Sequence, residues 1–144
     1  MGGTGMRLWK QSKAFTLVEI LLVVVIIGAL AAMIIPRLAG RGDQAKVKVA
    51  KTDIDANIAT ALKLYELDNG TFPTTQQGLA ALRVKPATNP IAQNWNGPYV
   101  EKDPLDPWGR AYVYASPGEH RSDYDLSSKG KDEASAKDDI ANWQ

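Results

Sequence analysis

Sixteen consecutive residues, Ile20 to Ile35, carry no charge and no strong helix breaker except Gly28. Phe15, Leu17 and Val18 extend the run on its near side to about the 20 residues that a bilayer core requires. Such a segment belongs in lipid or in a dense bundle of helices. One acid, Glu19, stands near its start. A carboxylate in an apolar span costs roughly 2.5–3.5 kcal/mol on insertion scales unless a partner meets it. Phe15, Thr16, Leu22 and Val23, three and four residues away on the same helix, are all uncharged, so the partner comes from elsewhere. An ordinary signal anchor is the competing reading of the span, but it has no use for Glu19.

The residues before the run, Met1 to Ala14, hold Arg7, Lys10 and Lys13 and no acid. Positive charge ahead of the span and mixed charge behind it orient the amino end toward the cytoplasm and the remainder toward the periplasm. The whole chain has a formal net charge of +1. Without the leader, 14 basic and 16 acidic residues remain, a near-neutral balance that argues against electrostatic nucleic-acid binding. The chain has no cysteine, so no disulfide braces an exported domain and another constraint is expected there.

Lys13-Ala14-Phe15-Thr16-Leu17-Val18-Glu19-Ile20 closely resembles the leader and cleavage site of type IV pilin-like proteins, with Ala14 where that family usually has Gly. The resemblance implies cleavage between Ala14 and Phe15 by a prepilin peptidase and methylation of the new Phe15 amine. It also implies that Glu19 of one subunit is neutralised by the Phe15 amine of its neighbour as helices pack in a filament. The partner absent from the helix is then a second copy of the chain.

Beyond the span, Pro36 followed by Gly40, Arg41 and Gly42 predicts a kink or local melting. Ala50, Ile54, Ile58, Ala61, Leu62 and Tyr65 then recur at spacings of three and four, predicting an amphipathic helix from about Asp43 to Leu67. Asn69 and Gly70 end it. Two separate helices joined near Ala39 to Gly42 are the alternative. Thr74 and Gln77 read as a capping box for a short helix, Thr75 to Val84. The proline- and asparagine-rich stretch from Lys85 to Pro98 reads as loop, pinned to the core by Trp95. Strands are expected at Tyr99 and Val100, from Trp108 to Ala115, and from Tyr124 to Ser127, forming a small antiparallel sheet against the helix stripe.

Asp123, Asp125, Asp132, Glu133, Asp138 and Asp139 place six acids in seventeen residues, interleaved with serines and Gly130. Oxygen-rich sequence of this kind suits calcium, which takes roughly 6–8 oxygen ligands and accepts carbonyls. EF-hand spacing is absent, and Lys129, Lys131 and Lys137 balance part of the charge. By chemistry alone a solvated acidic loop is the favoured reading.

Asp106 to Tyr114, DPWGRAYVY, and Tyr124 to Trp143, YDLSSKGKDEASAKDDIANW, resemble the corresponding stretches of major pseudopilins of the type II secretion system. That resemblance covers nearly the whole mature chain. It implies an α+β, pilin-like fold: a long N-terminal helix whose first half spans the membrane, a small antiparallel sheet, and a C-terminal loop closed by Ca2+. Matched inward from both ends, the loop places side-chain ligands at Asp132 and Asp139 and backbone oxygens at Lys129 and in the Ala134 to Lys137 region. Lys129 and Glu133 differ from the residues common at their positions, and the loop between the two acids is shorter than usual.

The expected organisation is a leader at 1–14, a membrane and filament-core helix at 15–38, and a periplasmic domain at 39–144. The expected function is a structural subunit of a periplasmic pseudopilus, anchored by a single pass in the bacterial inner membrane. Its partners are further copies of itself, minor pseudopilins, a prepilin peptidase, an inner-membrane assembly platform and a secretion ATPase, with no nucleic acid. The chain is not expected to be an enzyme: its one histidine, His120, has no nucleophile at a suggestive spacing and reads as a surface residue. A type IV pilus subunit for adhesion, motility or DNA uptake is the alternative, although the cysteine-free terminal loop and the DPWG motif favour secretion.

Overall fold

The structure, a computed structural model, describes residues 14–144, without the side chains of 37–39. The basic leader lies outside the described residues except for Ala14. The described chain falls into two compact units that divide between Ala39 and Gly40.

Helix α1, Leu17–Thr52, begins where Thr16 accepts the Glu19 N–H on its hydroxyl at 3.1 Å, an N-cap that the Thr-x-x-Glu spacing encodes. Helical assignment continues through Pro36, where a kink or melting was expected. Its apolar stretch is long enough to cross a membrane, by length and composition, and none of that stretch is buried within the chain. Leu21 is 59% and Ile35 64% exposed. Surface of this extent needs lipid or other helices to cover it.

The helix run passes through one π turn, Asp53–Asn57, before α2, Ile58–Asn69. The Ile58 N–H bonds to the Asp53 carbonyl, five residues back. Asp53 is held from both sides, by the Asn57 amide at 2.7 Å and by the Tyr112 hydroxyl at 3.0 Å. Gly70, at φ 80°, ends α2 in the left-handed region and returns its N–H to the Glu66 carbonyl at 2.7 Å.

The expected stripe is the core. Ala50, Ile54, Ile58, Ala61, Leu62 and Tyr65 are at most 3% exposed and pack with Leu82, Tyr112, Tyr114, Tyr124, Leu126 and Ile140. Strands β1, Val113–Ala115, β2, Asp125–Ser128, and β3, Ile140–Ala141, form one antiparallel sheet in that order. Tyr114 pairs with Leu126, and Ser128 with Ile140. The Lys51 ammonium reaches the Ala141 carbonyl at 3.1 Å and ties the end of α1 to β3.

Three expectations are corrected. Tyr99 and Val100 form no strand: the Tyr99 N–H bonds to the Leu82 carbonyl at 2.7 Å, and its hydroxyl bonds to Asp68 at 2.6 Å. The strand expected from Trp108 starts only at Val113, because the Asp106 carboxylate captures the N–H groups of Trp108 and Arg110 in a turn. The helix expected at Thr75–Val84 contracts to a 3-10 turn, Leu79–Leu82. β3 was not anticipated at all, since two residues carry no readable alternation.

The capping box itself forms. Gln77 accepts the Thr74 N–H at 3.0 Å and donates its own N–H to the Thr74 hydroxyl at 3.2 Å. The Gln77 amide also donates to the Thr88 and Pro90 carbonyls at 2.9 and 3.0 Å, fastening the following loop. Trp95 pins the same loop through its indole N–H to Ala81 O at 2.9 Å, and a Cβ at Gly97 would stand 2.5 Å from that ring. Gln77→Ala removes the side-chain bonds to the Thr74 N–H and to the Thr88 and Pro90 carbonyls from a buried position and should lower stability by about 2 kcal/mol. Equilibrium unfolding in guanidinium checks this; an unchanged midpoint contradicts the role assigned to Gln77.

Candidate functional site: the first helical turn and the carboxyl-terminal loop

Ala14, Phe15 and Thr16 precede α1 without regular structure, and Phe15 is 77% exposed. A segment in this form is open to a peptidase. Glu19 stands in the first turn of α1, where the helix dipole favours an acid. Its backbone N–H is capped by Thr16, but among the described residues its carboxylate makes no salt bridge. An acid here is thus favoured in part by the helix end itself, a contribution the Thr-x-x-Glu spacing could have revealed.

The carboxyl-terminal loop runs from Ser128 to Ile140 and is anchored on the DPWG turn. The Ser128 hydroxyl donates to the buried Asp106 carboxylate at 2.7 Å and accepts the Gly130 N–H at 3.2 Å. Gly130 turns the chain at φ 63°, and a Cβ there would collide with the Asp138 carbonyl. Only glycine permits that approach, which brings the two ends of the loop together.

Asp132 and Asp139, the expected side-chain ligands, both lie on this loop, with Asp138 between its two ends. The Asp132 carboxylate accepts the Ala134 N–H at 3.1 Å, and the Asp132 N–H donates to Asp138 Oδ2 at 2.7 Å. That bond is the main reason the Asp138 carboxyl is held below the usual carboxylate range; the smaller opposing effect is burial. Lys129 Nζ is 3.7 Å from Asp139 Oδ2. Asp138 Oδ1 and Asp139 Oδ1 are both buried without a hydrogen-bond donor.

Two buried, unpartnered carboxylate oxygens at the closure of one loop fit a hard cation that seeks oxygen. No three His, Cys, Asp or Glu side chains converge as a metal cluster among the described residues, so backbone carbonyls would have to complete the shell. Asp138 was not singled out in the sequence. Adjacent aspartates look alike there, and only the reversal at Gly130 distinguishes them.

A second carboxylate cluster holds the chain end. Buried Asp125 accepts the N–H groups of Glu119, His120 and Arg121 at 2.9, 2.9 and 3.0 Å, and lies 2.8 Å from His120 Nδ1. The His120 ring stacks on Trp143 with centroids 4.1 Å apart. Burial alone raises the Asp125 pKa, but these donors outweigh it and hold the carboxyl below its usual value. A carboxyl so depressed stabilises the fold above about pH 4, and that stability is lost as pH falls through the folded-state value. Asp125→Asn should therefore be less stable than the parent at pH 7 and lose less on acidification to about pH 3. Thermal unfolding at the two pH values checks it, and parallel losses in both proteins contradict it.

The comparisons with known proteins divide the chain where its composition divides. Residues 9–35 match the family described as prokaryotic N-terminal methylation motif, and residues 37–143 match type II secretion system (T2SS), protein G. The type II secretion system core protein G of Pseudomonas aeruginosa is 51% identical over 138 residues, covering 93% of this chain and 96% of that one. Its counterpart in Escherichia coli K12 is 46% identical over 140 residues, covering 96% and 95%. The crystal structure of the major pseudopilin from the type 2 secretion system of enterohaemorrhagic Escherichia coli superposes with a TM-score of 0.65 at 38% identity, covering 75% of this chain and 95% of that one. The long helix, the small antiparallel sheet, the methylation motif and relatives matched over almost their full length agree, and the chain belongs to the type II secretion system protein G family of pseudopilins.

Proposed function

We propose that this chain is held by a single pass in the bacterial inner membrane, with its globular unit in the periplasm, and polymerises into the pseudopilus that moves folded proteins across the outer membrane. The observation that carries this is the adjacency of the two family matches: a methylation-motif helix at 9–35 followed directly by the secretion-specific unit at 37–143. A prepilin peptidase cuts between Ala14 and Phe15, and the new amine is methylated. The Phe15 amine of one subunit then meets Glu19 of the next while the apolar faces from Phe15 to Leu38 pack together. Minor pseudopilins, an inner-membrane assembly platform and a secretion ATPase complete the apparatus and supply the work.

The terminal loop is the bracing that a cysteine-free exported unit lacks elsewhere. Asp132 and Asp139, with backbone oxygens of Lys129, Ala134 and Lys137, would hold Ca2+, and the orphaned oxygens of Asp138 and Asp139 support that assignment. A bound calcium ion would supply compensating charge and join the loop ends, adding its binding free energy to folding. Gly130 sets the approach of the strands, while Asp106 and Ser128 fix the loop's base.

Expression in a secretion-competent host lacking its own major pseudopilin tests the proposal. Sheared filaments should contain this chain without residues 1–14 and with one added methyl group, by intact mass, and export should recover. A chain that is cleaved yet restores neither filaments nor export would overturn it.

A further inference from the structure

Resting on the membrane reading above, we propose that Arg41, Lys46 and Lys48 form a basic collar that binds anionic phospholipid headgroups on the globular side of the bilayer while the subunit awaits assembly. Arg41, Lys46 and Lys48 stand six, eleven and thirteen residues beyond Ile35, the last residue of the apolar run, so at about 1.5 Å per residue Arg41 falls at headgroup depth and the two lysines at its outer edge. All three side chains are exposed, and among the described residues none makes a salt bridge.

The neighbouring charges are already engaged. Asp43, the one acid between Arg37 and Lys51, is bound by Lys131 Nζ at 2.6 Å, so it does not offset the collar. Lys51 is taken by Asp55 at 3.3 Å and by the Ala141 carbonyl. Among the described residues Arg41, Lys46 and Lys48 have no acidic partner, and the surface they face carries the matching charge if its lipids are anionic.

Their angular distribution favours lipid over protein. At about 100° per residue, Arg41 and Lys48 fall on one side of the helix and Lys46 roughly on the opposite side. A docked protein would meet one face, whereas headgroups surround a helix that emerges from a bilayer. Val47 and Val49, 41% and 51% exposed, lie between the cations and supply the apolar surface common in interfacial helices. Each cation near such a surface adds to the attraction, which decays within a Debye length of about 8 Å in physiological salt.

The absence of cysteine makes the test direct. A bimane probe on Gln44→Cys, an exposed position inside the collar, is placed in the otherwise intact full chain and reconstituted into vesicles containing a fixed fraction of headgroup-nitroxide lipid. Phosphatidylcholine vesicles are compared with phosphatidylcholine and phosphatidylglycerol at roughly 3:1, and flotation verifies insertion. Quenching in the anionic vesicles should be at least about twofold greater at low salt, and should fall to the neutral-lipid value at about 0.5 M salt. The same loss is expected in Arg41→Gln/Lys46→Gln/Lys48→Gln. Equal low-salt quenching in the two compositions, with flotation intact, would overturn the proposal. So would quenching that follows protein density and ignores lipid charge, which would assign the collar to an acidic face of a second copy. Failure to float in either mixture would instead remove the membrane reading on which the collar depends.

Discussion

Glu19→Ala and Glu19→Gln should both leave the globular unit folded and the chain inserted, and both should reduce filament yield by about an order of magnitude or more. The magnitudes identify the cause. Within packed helices, deleting one member of a buried ion pair leaves its partner uncompensated at a cost of about 3 kcal/mol, on the order of a hundredfold in the equilibrium for adding a subunit. Loss of the acid from the first helical turn costs about 1 kcal/mol or less, because Thr16 retains its bond to the backbone of residue 19. Glutamine separates the two effects, since it suits the third position of a capping box but carries no charge. Negative staining and sedimentation of sheared filaments measure the yield. Normal assembly of Glu19→Gln would reduce Glu19 to a helix cap and remove the charge pair from the mechanism.

Chelation should lower the thermal midpoint of the parent chain by on the order of 10 °C, and Asp139→Asn or Asp132→Ala should remove that sensitivity. At about a hundredfold excess over its dissociation constant, a ligand bound only to the folded state stabilises it by about 2.7 kcal/mol. For a unit the size of 40–144, this corresponds to a shift of roughly 10–20 °C. Asp138→Asn belongs beside them, because one oxygen of Asp138 secures the Asp132 N–H and the other is buried without a donor. A purely structural loss there would lower the midpoint equally with calcium and with chelator. Disappearance of the calcium increment is the distinguishing result. A parent chain whose melting ignores chelator would exclude the ion from the loop.

The sequence shows most where a physical period or an isolated charge leaves one reading. Ala50 to Tyr65 kept a helical spacing that could bury only one face, and that face is the core. Glu19 was conspicuous because nothing nearby could answer it. The π turn at Asp53–Asn57 left no trace, since Ile54 and Ile58 preserve the apolar stripe across it. Trp108 to Ala115 alternates well enough for one strand, but side-chain capture by Asp106 diverts its first residues into a turn. The terminal loop showed its acids without their arrangement. Six acids marked the region, whereas the inward oxygens of Asp138 and Asp139 depend on a reversal at Gly130 and on strand β3, only two residues long. The Asp125 cluster was missed because its donors are mainly backbone N–H groups, which no residue type announces.

The most direct measurement is of the contact itself. Filaments assembled from a mixture of subunits labelled with 15N and subunits labelled with 13C report, by solid-state magnetic resonance, only contacts between different copies. A transfer peak between the Phe15 amine nitrogen and the Glu19 carboxyl carbon, at a separation of about 4 Å, is the predicted result. Well-ordered filaments in which that peak is absent would contradict the account.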